Sequence, residues 1–173
     1  MPMNEVDHFF ATWDWESQRT VEQLRALPKD KYDFRPDPQG RSIGEMAWHL
    51  AEVEAYMTSG VANGKFDFSA KLPGLERPRQ IAELAPGYER LHKEAVDRVK
   101  KLQPADWDRD IPFMGDKPMQ ARHILWGAML SHLIHHRAQL MLMSRLAGGT
   151  VPGIYGPNRE DMAKMMEAAK SRG

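Results

Sequence analysis

The sequence predicts an all-α protein, a four-helix bundle with a short C-terminal helical segment, in a single domain spanning residues 1–173. Three observations carry this. Four segments repeat apolar residues at three- and four-residue steps, the period of a helix that buries one face. No run shows convincing period-2 alternation. A chain of 173 residues, 42% hydrophobic and 28% charged, is long enough for one core and too short for two full-sized domains.

The first helix is expected from about Asn4 to Leu27, on the stripe Val6, Phe9, Phe10, Trp13, Val21 and Leu24, and stops before Pro28. A polar, proline-rich loop follows. The second opens on Ser42-Ile43-Gly44-Glu45, a capping box in which hydroxyl and carboxylate satisfy free backbone N–H groups reciprocally. It continues through Met46, Leu50, Val53 and Met57 to a stop at Gly60 or Gly64. The third carries Ile81, Leu84, Tyr88, Leu91, Ala95, Val99 and Leu102, with Pro86 placed in an early turn or marking a later start. Residues 104–118 read as irregular. The fourth helix, from Met119 to Ala147, is the longest and most apolar and ends at Gly148-Gly149. A short amphipathic segment with Met162, Met165, Met166 and Ala169 closes the chain, either covering a bundle edge or contacting a second subunit in a homodimer.

Twenty-four Lys and Arg against 24 Asp and Glu leave no net charge, which argues against a nucleic-acid partner. No apolar run approaches the ~20 residues that span a bilayer, and the acidic N-terminus lacks the pattern of a signal peptide, so a cytoplasmic protein is expected. Cysteine is absent, which removes disulfides, thiolate metal sites and thiol nucleophiles. Any protein-held metal must then rest on imidazole or carboxylate, and the chain has seven histidines.

On a regular helical wheel His132 and His136 lie about 40° apart in the middle of the fourth helix's apolar stripe. One turn apart, both can reach one ion, although carboxylates or water would also satisfy them. His135 falls at the stripe's edge and His123 on the opposite side. A third ligand must come from another helix. His49, about 80° from the centre of its own stripe, and His92, about 40° from Tyr88, both qualify, and the wheel favours His92.

Ser42-Ile43-Gly44-Glu45 with Ala47-Trp48-His49-Leu50, followed far downstream by His132-Leu133-Ile134-His135-His136-Arg137-Ala138-Gln139, resembles the DinB/YfiT-like family of small bacterial proteins. Val151 to Pro157 matches a further family feature, and the resemblance covers essentially the whole chain. It implies a four-helix bundle holding a divalent metal (Zn, Ni, Mn or Fe) on His49, His132 and His136. It also implies thiol-dependent S-transferase or isomerase chemistry on a small-molecule substrate, with a low-molecular-weight thiol as cosubstrate because the chain supplies none. Homodimers occur in the family.

Three imidazoles with a fourth position open suit catalysis better than a sealed structural site. A metal-dependent hydrolase using bound water and a non-catalytic metal- or ligand-binding bundle are the competing functions. No general acid or base is assigned. Glu45 reads as a cap and Glu52 as a surface residue, either of which would orient His49 if turned toward it. Ser17 and Thr20 read as hydroxyls bonded back to helix carbonyls. Arg137, turned away from the histidines, reads as bracing a loop or an interface.

Overall fold

The computed structural model describes residues 4–115 and 117–171. Helix α1 (Glu5–Arg25) starts at Asn4, whose side chain accepts from the Asp7 N–H, and Glu5 and Asp7 place negative charge at the positive end of the helix dipole. Helix α2 (Ile43–Asn63) carries the full Ser42/Glu45 capping box and ends at Gly64 with φ 67°. Gly60 does not end it. A Cβ there would lie 2.1 Å from the Phe66 ring, so this glycine admits close packing of the following loop.

Helix α3 (Ile81–Val99) runs straight through Pro86. The proline falls in the second turn rather than at a start. Its ring is exposed, on the side away from the core residues Ile81, Leu84 and Tyr88.

Three elements occupy the stretch expected to be irregular, and the last of them moves the start of the fourth helix from Met119 to Ala121. The one-turn helix α4 (Pro104–Trp107) buries Trp107, and β1 (Asp110–Pro112) pairs antiparallel with β2 (Pro118–Gln120), Ile111 opposite Met119. Three-residue strands are too short to display alternation, so the expectation of no strands is corrected here.

The fourth bundle helix is also not uniform. It comprises α5 (Ala121–His123), a π-helical segment (Ile124–Ser131) and α6 (His132–Leu146). The i→i+5 bonding of the π segment changes its rotation per residue, so a wheel at constant pitch misaligns the residues before His132 with those after it. The buried positions of α6 are Leu133, Arg137, Leu140, Met143 and Ser144. His132 and His136 therefore flank the buried stripe, half-buried, and do not straddle its centre.

Helix α2 packs against α3 on one side and against the π segment and α6 on the other, while α1 packs against α3 and α6. The consecutive helices α1 and α2 thus face each other across the core. Phe9 and Trp13 of α1 are fully buried there, edge to face with Trp107 and Trp126 through Phe9. Helix α7 (Arg159–Lys170) carries its own capping box, buries no residue, and is tied to α6 by a two-pronged Arg145–Glu160 pair at 2.6 Å. No helix among the described residues is long and apolar enough to cross a membrane.

Candidate metal centre

Two rigid elements meet at the cluster. The Ser42/Glu45 box sets where α2 begins, and Arg35 (2.6 Å) and Arg77 (3.4 Å) clamp Glu45 from outside. The Arg35 guanidinium, with the Ser42 N–H, pulls the Glu45 carboxyl down to about 2, so this cap stays ionised. From that fixed start His49 comes round, two turns on, to face α6. There the first and second turns present His132 and His136.

One donor nitrogen from each of His49, His132 and His136 lies within 4.8 Å of the other two, so the group could hold a metal ion. The Nε2 atoms of His49 and His132 are 3.4 Å apart. The His136 ring lies 4.9 Å from that of His49 and 4.3 Å from that of His132, centre to centre.

Two of the outer nitrogens have partners. His136 Nδ1 lies 2.6 Å from Gln139 Oε1, an acceptor that requires the proton on Nδ1 and leaves the Nε2 lone pair for the cluster. His49 Nδ1 lies 3.5 Å from Glu52 Oε2, and Arg77 approaches the other Glu52 oxygen at 3.9 Å. Glu52 is thus half-buried beside His49 rather than a free surface residue. Gln139 was legible as part of the downstream motif, and its i,i+3 spacing from His136 is the signal for its role.

Burial pushes both α6 imidazoles down, His136 to about 4, with the neighbouring histidines adding to the effect. Both are therefore neutral at pH 7, the form that binds metal. A histidine pKa below its unfolded value of 6.5 contributes stability that is present above pH 6.5 and lost as pH falls toward 4. In chelator-treated protein the urea midpoint should fall between pH 7 and pH 4.5, and fall less in a His132→Gln/His136→Gln variant.

The other sequence candidates go elsewhere. His92 is not at the cluster. Its Nδ1 lies 2.8 Å from Glu54 Oε2, in a network across the core from α6, so the wheel's preference for His92 as third ligand is corrected. A wheel reports angles within one helix and not which neighbour each flank meets. His135 and His123 are exposed, His135 with its ring 5.1 Å from His136. Ser17 and Thr20 donate back to the Asp14 and Glu16 carbonyls. Arg137 is buried and bonds the Glu16 carboxylate, the Glu16 carbonyl (2.7 Å) and the Tyr155 hydroxyl (2.6 Å), bracing the loop before α7 against α1.

The DinB family model matches residues 1–171. The uncharacterized protein YrdA of Bacillus subtilis (strain 168) is 29% identical over 167 residues, covering 95% of this chain and 97% of YrdA. Among solved structures, a DinB-like protein of Bacillus subtilis, YjoA, aligns with TM-score 0.71 at 22% identity over 87% of this chain and 99% of its own. A DinB-like protein of Bacillus cereus ATCC 10987 aligns with TM-score 0.70 at 26% identity, over 85% and 95% respectively.

Proposed function

The chain belongs to the DinB family, and we propose that it is a divalent-metal-dependent enzyme acting on a small molecule, with His49, His132 and His136 as ligands. The observation that carries this reading is the 3.4 Å separation of the His49 and His132 Nε2 atoms. Two nitrogens held tetrahedrally at about 2.0–2.1 Å from one ion stand about 3.4 Å apart. The donor set fits as well: the two α6 imidazoles are neutral at pH 7, and the outer nitrogens of His136 and His49 face an amide and a carboxylate, the arrangement that orients metal-bound histidines. An all-imidazole set favours Zn, Ni or Fe over Mn.

A divalent ion held by His49, His132 and His136 would supply Lewis acidity, which would favour the ionised form of a water or thiol near neutral pH. The chain's own residues supply orientation. Gln139 keeps the His136 proton on Nδ1, Glu52 stands at the outer nitrogen of His49, and Arg77 holds Glu52 in place. Since the chain has no cysteine, a thiol nucleophile has to arrive as a low-molecular-weight cosubstrate. We assign S-transfer or isomerisation on a small electrophile as the reaction class, which rests on the family resemblance and on this cysteine-free composition.

A panel of small thiols against alkyl, epoxide and α,β-unsaturated electrophiles, run with Zn-, Ni- and Fe-loaded and chelated protein, tests it. Thiol consumption should require loading and fall at least tenfold in His132→Ala. Turnover indifferent to both would overturn the assignment.

A further inference from the structure

On the far side of the core from the histidine cluster, α1 and α3 part around a groove of about 380 Å³. At its floor lies a network that the proposed metal chemistry does not use. Glu54 of α2 is fully buried and accepts from Trp13 Nε1 (3.1 Å) and Tyr88 Oη (2.5 Å) on one oxygen. Its other oxygen lies 2.8 Å from His92 Nδ1. An indole N–H can only donate, so Glu54 Oε1 is an acceptor, and a carboxylate that also accepts at Oε2 requires the His92 proton on Nδ1. His92 Nε2 makes no hydrogen bond among the described residues, and His92 lines the groove.

The walls add acceptors beside it. Ser17 spends its hydroxyl proton on the Asp14 carbonyl (2.8 Å) and Gln18 spends an amide proton on Asp14 Oδ2 (2.9 Å). Ser17 keeps a hydroxyl lone pair, and Gln18 keeps its carbonyl oxygen and one N–H. At the rim Glu22 and Glu89 are balanced by Arg19 (3.2 Å) and Arg25 (2.9 Å). The charge that remains is that of Glu54, which meets no Lys or Arg among the described residues. A buried carboxylate without a cation is costly, and the imidazole is its only route outward.

We propose that this groove is a second binding site, independent of the three-histidine cluster, for a small primary ammonium ion. One ammonium N–H donates to His92 Nε2, the others to Ser17 Oγ and Gln18 Oε1, and the positive charge compensates Glu54 through the polarised ring. The ligand would thus bring from outside a full positive charge that no Lys or Arg among the described residues supplies to Glu54.

The test titrates the full-length chain near neutral pH with n-butylammonium, butyrate and butan-1-ol, followed by calorimetry and by the imidazole ¹⁵N shifts of His92. Butylammonium should saturate and move the Nε2 shift, with neither of the other two saturating at the same concentrations. His92→Phe should weaken binding about tenfold or more, the loss of one charged hydrogen bond. His136→Ala should leave it unchanged. Since His92→Phe strands Glu54 and risks unfolding, Val21→Phe provides a second arm: it fills the groove from its wall without touching the network, and should abolish binding. Preference for butyrate, equal binding of all three probes, no saturation by butylammonium, or undiminished binding in Val21→Phe would each overturn the proposal.

Discussion

Replacing His136 by alanine should lower affinity for a divalent ion by more than about 100-fold, since loss of a residue that merely orients a ligand already costs about 10–100-fold. The gradation is the informative part. Gln139→Leu removes the acceptor 2.6 Å from His136 Nδ1 and frees the ring to turn or to change tautomer, so it should fall in that 10–100-fold range. Glu52→Gln should cost less, because its carboxylate stands at 3.5 Å from His49 and is shared with Arg77. Competition titration against a chromophoric chelator reads all three on one scale. Equal effects from the ligand and its supporting amide would mean that the ring is not itself bound to the ion.

Arg137→Met should destabilise the fold by about 3–5 kcal/mol. The guanidinium and the Glu16 carboxylate are both buried, at 2% and 7% exposure, and each completes the other's hydrogen bonding together with Tyr155. Removing one partner leaves a charge in the core without compensation, which costs more than the pair itself contributes. The double variant Glu16→Leu/Arg137→Met removes both charges and should recover most of the loss. Urea midpoints of the single and double variants decide this. A single-variant loss below about 1 kcal/mol would place the pair among exposed ion pairs of small effect.

How far the sequence alone reached follows from what periodicity encodes. His132 and His136 were legible as a pair because both lie within α6, where the i,i+4 relation is regular whatever happens before it. Their relation to the core was not. In Ile124–Ser131 almost every residue is apolar, so the hydrophobic pattern carries no phase from which the π segment could be recognised. His49 and His92 each sit on a flank of their helix, and only the packing order, with α2 between α3 and α6, separates them. Family resemblance pointed to His49, and the structure brings it to the α6 pair.

Glu54 went unnoticed for a related reason. It lies between Val53 and Met57 in the α2 stripe, and a carboxylate there reads as an edge residue until Trp13, Tyr88 and His92 are seen converging on it from two other helices. The caps, by contrast, were legible to the residue, because Ser42 and Glu45 act within four positions of one another.

The decisive measurement is the metal content of the untagged chain after loading with Zn, Ni or Fe and exhaustive dialysis, made in parallel on His49→Ala. One ion per chain in the parent, and none retained in His49→Ala, is the predicted result. Full retention in His49→Ala, with the ion held through other groups, would contradict a three-histidine centre joining α2 to α6, as would a parent chain that keeps no metal at all.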